Sequence, residues 1–128
     1  ILFEEFNNWR QVFTDGRPLP DDPEPAWLGY SIGRWERDEF VIESAGFNDK
    51  SWLDAGGTPH TEALRTTERF RRHDFGRMDV EFTFDDPKTF TRKWSTTVKF
   101  ILLPDTDLLE NQCENNKWNP EAGKQVGR

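Results

Sequence analysis

Three side chains that could carry acid–base chemistry lie in the stretch NDKSWLDAGGTPHTE, residues 48–62. A glycine pair and a proline permit a tightly shaped loop, so His60 projects from a defined position. Glu62 lies two residues further along a starting strand and shares a face with His60, and Asp54 can approach from the other arm. The pattern predicts a cofactor-independent isomerase, lyase or hydrolase in which His60 is the base, Glu62 its orienting group and Asp54 the acid.

The same residues also suit a purely structural role. Asp54 could cap the loop, Glu62 could pair with an arginine, and His60 could hydrogen-bond a backbone carbonyl and so fasten the chain crossing. Trp52 beside them is either a stacking platform for a ligand ring or a plug in the core. The sequence alone leaves both interpretations open.

Aromatic residues offer a second kind of site. In WLGYSIGRWE, residues 27–36, bulky side chains occupy both strand faces, and glycines leave space beside the tryptophans. Such space admits a ligand ring or a close backbone, and the alternative is that these residues serve core filling and strand bending. The leading functional prediction is therefore a module that binds a small aromatic, apolar or sugar-like molecule in a mouth lined by Trp27, Tyr30, Trp35, Trp52 and the loop of His60.

The strand LRTTERFRR, residues 64–72, places a carboxylate where apolar side chains should lie. Glu68 shares its face with leucine and phenylalanine, so it must meet an arginine, a tryptophan N–H or water, or else serve a ligand. The opposite face carries a row of arginines that includes Arg69. This row is expected to pair with acids such as Asp79 and Glu81 on the next strand; a clamp for a carboxylate or phosphate ligand is the alternative.

Metal and cofactor chemistry have little support. Only His60 and His73 are present, and a site with two histidines and a carboxylate would need His73 to fold back toward His60. PDTDLLE, residues 104–110, lacks the length and glycine of a calcium loop. The sequence has no phosphate-binding glycine loop, no G-x-S-x-G elbow and no CxxC pair. The sequence predicts neither a metal nor a cofactor.

The elements that must position these residues are strands. MDVEFTFD, residues 78–85, and KWSTTVKF, residues 93–100, alternate apolar and polar side chains and are predicted to pair, and short polar turns separate the segments. The predicted strands cover residues 2–5, 9–13, 28–35, 39–45, 62–72, 77–84, 93–103 and 108–114, with a helical turn at 48–53. This pattern predicts an all-β, single-domain antiparallel meander of about eight strands closed into a small barrel, with a two-sheet sandwich as the alternative.

Length and composition fit one domain. The 128 residues are only 34% hydrophobic, yet six Trp and eleven Phe supply large apolar side chains, so an aromatic-rich core is expected. The domain is predicted to cover 1–115, followed by a loosely ordered tail at 116–128. A single cysteine, Cys113, excludes an internal disulfide and is expected to be a small buried hydrophobe.

The net charge of the chain limits the classes of partner that it is expected to bind. A formal net charge of −7 opposes both nucleic acid and anionic membranes, and no apolar run is long enough to span a bilayer. The expected partner is a small-molecule ligand, with no nucleic acid and no membrane insertion. A third functional prediction is an assembly domain whose edge strands at 2–5 and 108–114 pair with a second copy or with another chain.

Several motifs occur together in a recognisable order: FTDGRPLP, WLGYSIGRWE, ESAGFNDKSWLDAGGTPHTEALRTTERFRRHDFG and FDDPKTFTRKW. Over residues 10–115 the chain resembles a family of uncharacterised, exported bacterial proteins common in soil genomes. The resemblance implies a single fold and a periplasmic or secreted location, and it assigns no catalytic residue. No signal-peptide pattern precedes Ile1, which is expected if an upstream segment has been removed. The family usually has glycine where this chain has Arg37.

Overall fold

The fold is built from strands alone. The computed structural model describes residues 1–4 and 8–108, and within them it has seven strands and no helix. Two form a small antiparallel sheet, and five form a larger antiparallel sheet in the order of the chain. The strands are β1 (Leu2–Phe3), β2 (Asn8–Trp9), β3 (Tyr30–Glu36), β4 (Glu39–Ala45), β5 (Arg65–Arg72), β6 (Arg77–Asp85) and β7 (Trp94–Ile101). The predicted all-β antiparallel class is confirmed.

Alternating side chains set the strand register. β6 and β7 pair as expected, with Val80 opposite Val98 and Phe84 opposite Trp94. Each neighbouring pair in the large sheet is an antiparallel hairpin or meander step, because the polar turn between two strands lets the chain reverse direction. In the β3–β4 turn, Arg37 has a φ of 59°, a left-handed conformation that glycine adopts at little cost.

The predicted barrel is wrong. β3 and β7 lie at opposite ends of the five-stranded order and do not pair with each other, so the large sheet stays open. The predicted strands 2–5 and 9–13 reduce to two-residue strands in their own sheet, so they do not connect β3 to β7. The arrangement resembles a sandwich more than a barrel.

The large sheet has one apolar and one charged face. Alternation along the paired strands assigns every second residue to each face. The apolar face consists of Ser31, Gly33, Trp35, Phe40, Ile42, Ser44, Thr66, Glu68, Phe70, Met78, Val80, Phe82, Phe84, Trp94, Thr96, Val98 and Phe100. The charged face carries Arg34, Glu36, Glu39, Glu43, Arg69, Asp79, Glu81 and Lys99, with ion pairs from Arg34 to Glu43 and from Arg69 to Glu36 and Glu39.

The core is aliphatic and small. The fully buried hydrophobic residues are Val41, Ile42, Ala45, Leu64 and Val80. The expected aromatic core is therefore wrong: among the described residues four tryptophans are exposed and the fifth is half-buried. One open sheet with cover on only part of its apolar face buries few large side chains. Ile42 and Val80 lie on the apolar face, whereas Val41 lies on the charged face between Arg34 and Arg69.

The chain after β2 provides this covering layer over β3 to β5. Val12 packs on Gly33, where an added Cβ would lie 2.6 Å from Cζ of Phe40 and 2.8 Å from Cγ1 of Val12. Phe13 then runs parallel to β3, with its N–H 3.0 Å from the carbonyl oxygen of Ser31. The space beside Gly33 is thus filled by protein side chains, as the core-filling interpretation expected.

A buried carboxylate links the loop of His60 to the β6–β7 connection. The oxygens of Asp86 accept hydrogen bonds from N–H and Oγ1 of Thr61 at 2.6 and 2.9 Å and from Oγ1 of Thr89 at 3.0 Å. The N–H of Lys88 adds a bond of 3.1 Å. Burial raises the pKa of Asp86, but these donors outweigh it and leave the pKa below its ordinary value. The ionised carboxylate joins two segments 25 residues apart.

Other predicted elements differ from the structure or lie outside it. Residues 48–53 form bends instead of the predicted helical turn. The predicted strand 108–114 lies almost wholly outside the described residues, as do Cys113 and the predicted tail at 116–128. Within residues 1–4 and 8–108, no helix has the length and apolar character needed to cross a bilayer.

Candidate functional site

Asp54 closes its own loop. Oδ1 accepts hydrogen bonds from the N–H groups of Gly56 at 2.8 Å and Thr58 at 3.2 Å, and Oδ2 accepts one from Oγ1 of Thr58 at 2.7 Å. Donation from the Thr58 side chain is the main reason that the pKa of Asp54 lies below its ordinary value. A carboxyl with a lowered pKa stays ionised near neutral pH, so Asp54 caps the loop and is poorly suited to donate a proton.

His60 is buried and bonded through both ring nitrogens. Nδ1 lies 3.2 Å from the carbonyl oxygen of Thr61, and Nε2 lies 3.1 Å from Oγ of Ser51. Because a carbonyl only accepts, Nδ1 is the donor to Thr61, and in that tautomer Nε2 accepts a hydrogen bond from the hydroxyl of Ser51. The ring also meets Phe47 edge-on at 6.2 Å between centroids. These contacts match the fastening role that the sequence left open.

The structure does not join the three predicted catalytic side chains by hydrogen bonds. Glu62 is exposed and lines a separate cavity of about 320 Å³ with Asp21, Asp22 and Arg65. Among the described residues no hydrogen bond connects Asp54, His60 or Glu62 to one another, so the acid–base enzyme stays a prediction without geometric support.

The predicted aromatic lining is divided between different parts of the molecule. Trp27 and Tyr30 lie together on one groove. Trp35 stands at the far end of β3, where its ring packs against Phe40 at 5.2 Å between centroids. Trp52 is exposed on the loop of His60, where it forms a bridge with Pro59. Without barrel closure, these side chains have no common interior to surround.

The groove that Trp27 and Tyr30 share combines several aromatic side chains on one concave surface. It encloses about 630 Å³ between the end of β2 and the segment leading into β3. Its lining consists of Asn8, Trp9, Arg10, Gln11, Phe13, Ala26, Trp27, Leu28, Gly29 and Tyr30. Sequence reasoning missed Trp9 and Phe13, because only the tertiary fold brings β2 beside residues 26–30.

Stacked side chains hold one wall of this groove. The rings of Phe13 and Tyr30 stack at 5.0 Å between centroids, and the guanidinium of Arg17 lies 4.0 Å from the centre of the Phe13 ring. Arg17 also donates to the hydroxyl of Tyr30 at 3.2 Å and to both oxygens of Asp15. These contacts within the chain hold the side chains of this wall in place without a ligand.

The backbone at the bottom of the groove requires glycine. Gly29 has a φ of 62°, and an added Cβ would lie 2.7 Å from the carbonyl oxygen of Ala45. Only glycine lets the chain turn so closely against the end of β4 and carry Trp27 and Tyr30 to the same surface. The structure therefore places the WLGY segment on one groove, and ligand binding there stays a prediction.

Glu68 and Arg69 lie on opposite faces of the sheet. Glu68 accepts a hydrogen bond from Nη1 of Arg10 at 2.6 Å, with both side chains buried, so its partner is an arginine, one of the alternatives that the sequence offered. Arg69 donates to Glu36 and Glu39 on the charged face instead of to the predicted acids of β6. The two residues predicted to bind one ligand therefore face different environments.

No cluster in the described ranges suits a metal ion. Groups of three or more histidine, cysteine, aspartate and glutamate side chains in metal-binding geometry are missing from residues 1–4 and 8–108. His73 instead lies with Nε2 at 2.9 Å from Oδ2 of Asp79, near the β5–β6 turn.

Comparison with known proteins adds no functional information. No protein-family model matches the chain, and neither a curated protein nor a solved structure does. The functional argument therefore depends on the groove and its neighbouring side chains.

Proposed function

We propose that the protein binds a small, uncharged, ring-shaped molecule in the groove between β2 and residues 26–30, and that a sugar ring is the preferred chemistry. The main support for this proposal is a pair of indole side chains on one concave surface: Trp9 is 62% exposed and Trp27 is 63% exposed. Exposed indoles that share a groove can stack on a flat ring and gain the contact area that the folded chain leaves unused.

The size of the groove supports this proposal. Sites for small molecules typically enclose about 300 to 1,000 Å³. At about 630 Å³ the groove has room for a disaccharide-sized ligand or a substituted aromatic ring. It is open to solvent, which suits a segment of a longer chain such as an oligosaccharide.

The polar groups of the groove favour a neutral ligand. The positive charge of Arg10 is matched by Glu68, and that of Arg17 is matched by Asp15 at 2.6 Å. The side-chain amides of Asn8 and Gln11 remain at the rim as hydrogen-bonding groups suited to hydroxyls. Aromatic faces combined with neutral hydrogen-bonding groups fit a sugar better than they fit a carboxylate or a phosphate.

Tryptophan fluorescence and calorimetry test the proposal. The chain is titrated with a panel of neutral oligosaccharides and, as a second class, with neutral aromatic compounds. We expect saturable binding by at least one oligosaccharide, and Trp27→Ala and Trp9→Ala each to weaken it about fivefold or more, because stacking on one aromatic ring is typically worth about 1 kcal/mol.

Trp52→Ala and Trp35→Ala are the matched controls, because both remove an exposed indole away from the groove. Neither should change the affinity by more than about twofold. The proposal is wrong if no member of either class binds saturably, or if the control variants weaken binding as much as the groove variants. Binding confined to aromatic compounds would keep the site and reject the sugar.

A further inference from the structure

Within residues 1–4 and 8–108, no strand pairs with the outer edge of β7. β7 spans Trp94–Ile101 and pairs with β6 on one side, and the sheet order places no described strand on its other side. Seven of its eight residues are exposed. An open strand edge presents unpaired N–H and C=O groups that can pair with another strand.

The hydrogen-bond alternation shows which backbone groups face this open edge. The N–H of Leu102 donates to the carbonyl oxygen of Gly76 at 2.9 Å, directly beyond the last register pair of β6 and β7. In an antiparallel ladder bonded and non-bonded pairs alternate, so even-numbered residues of β7 bond to β6. The backbone groups of Ser95, Thr97, Lys99 and Ile101 therefore point outward.

The opposite edge of the sheet is partly blocked. On β3, the carbonyl oxygen of Ser31 and the N–H of Gly33 are bonded to the backbone of Phe13 at 3.0 and 2.8 Å. Only a few residues of β3 remain beyond this contact, and this remaining stretch is shorter than a usual strand. A sheet with one long open edge forms a closed pair of copies, because a chain of copies would need two such edges.

The side chains of β7 suit a second copy of the same strand. Lys99 is its only charged residue, and Val98 and Phe100 on the apolar face are 42% and 44% exposed. In an antiparallel register centred on Thr97, each Lys99 lies opposite a Ser95 and each Phe100 lies opposite a Trp94. Like charges are then well separated, and two aromatic cross-strand pairs form.

We propose that two copies of this chain associate through β7, antiparallel about a two-fold axis at Thr97, to form one continuous ten-stranded sheet. The second copy satisfies the outward backbone groups of Ser95, Thr97 and Lys99. It also covers part of Val98 and Phe100, whose cross-strand neighbours on β6 are Val80 and Met78. This edge differs from the edges at 2–5 and 108–114 that the sequence suggested.

Proline substitution provides a position-specific test in the full chain. Sedimentation velocity of the wild type should show a concentration-dependent change from the 15.1 kDa monomer to twice that mass. Thr97→Pro removes an outward N–H that the monomer does not use, so it should keep the β-sheet circular dichroism and stay at the monomer mass. Val98→Pro is the control: its N–H faces β6, so folding itself should be impaired.

Cysteine cross-linking tests the register even if Thr97→Pro fails to fold. In a Cys113→Ser background, Thr97→Cys places two thiols on directly opposite residues, whose Cα atoms lie about 5.5 Å apart in a bonded antiparallel pair. Oxidation should cross-link most of the protein as a dimer. Lys99→Cys is the control and should cross-link at least tenfold less, because its two copies lie several residues apart.

Three outcomes would overturn the proposal. A wild type that stays monomeric up to about millimolar concentration would mean that no second copy occupies β7. A folded Thr97→Pro variant that still dimerises would place the interface elsewhere. Equal cross-linking at positions 97 and 99 would reject the register. None of these outcomes depends on the ligand groove, so this proposal and the proposed function can fail separately.

Discussion

Nη1 of Arg10 lies 2.6 Å from Oε1 of Glu68, although 58 residues separate them in the chain. The side chains are only 11% and 7% exposed. Nε and Nη2 of Arg10 donate to the hydroxyls of Ser31 and Ser44 at 2.9 and 2.6 Å. This buried network fastens the segment after β2 to the middle of the large sheet. Phe13 in that segment and Trp9 at the end of β2 both line the groove.

Removal of this carboxylate should strongly destabilise the fold. Glu68→Ala leaves the charge of Arg10 buried without a counter-ion, which should cost about 3 to 5 kcal/mol in the free energy of unfolding. Urea denaturation measures the loss. Arg77→Ala is the control, because it breaks an exposed pair with Asp74 at 2.6 Å, which water and salt screen, and it should cost far less than Glu68→Ala. Equal losses in the two variants would contradict the buried network.

His60→Ala should lower stability. Ser51 and the carbonyl oxygen of Thr61 lose their partner in the variant, and a buried polar group left unpaired costs about 1 to 3 kcal/mol. Thermal denaturation should show a clear decrease in Tm, while the exposed Glu62→Ala control should change stability by less than about 0.5 kcal/mol. An unchanged Tm for His60→Ala would instead favour the acid–base role predicted from the sequence.

Asp86 should make stability depend on pH in the acid range. Its pKa is below the ordinary 3.8 in the folded chain, so its stabilising contribution is complete above the unfolded pKa and is lost as pH falls through the folded pKa. Asp86→Asn should therefore be less stable than the wild type at neutral pH, and the difference should shrink below about pH 4. Denaturant unfolding between pH 2 and 7 measures it, and a constant difference would exclude this role.

Arg37→Gly should stabilise the β3–β4 turn. Arg37 has a φ of 59°, and the left-handed region costs a residue with a side chain about 1 kcal/mol or more relative to glycine. We expect Tm to rise by a few degrees. Asp38→Gly is the matched control, because only Arg37 has a positive φ among the described non-glycine residues, so glycine at 38 should lower stability. A decrease in Tm for Arg37→Gly would contradict the turn geometry.

Local sequence pattern was sufficient to predict the large sheet. β4, β6 and β7 follow the predicted ranges within two residues, and their register follows from apolar alternation in EFVIESA, MDVEFTFD and KWSTTVKF. This succeeds because strand alternation and turn residues act over only a few positions. Closure is different: whether β3 meets β7 depends on curvature and strand number, which a local pattern does not contain.

The candidate site shows the same limit. Gly29 between Trp27 and Tyr30 marked an aromatic segment in the sequence, and that segment does line the groove. The other aromatic residues of the groove are Trp9 and Phe13. They are distant from Trp27 in the sequence, and only the path of their segment across the apolar face brings them near it. The Asp54, His60 and Glu62 cluster failed to form for the reverse reason: residues close in sequence satisfied their polar atoms with nearer partners, Thr58 and Ser51.

The sequence by itself determined the five strands of the large sheet, their order and the two-sided character of that sheet, including a carboxylate on its apolar face that needs a partner. Only the tertiary structure decided which cation meets Glu68, which indoles share a groove and which strand edge stays open. The physical reason is the distance along the sequence over which each kind of interaction acts. Alternation and turn chemistry depend on neighbouring residues, whereas ion pairing, groove formation and edge exposure depend on contacts between segments tens of residues apart.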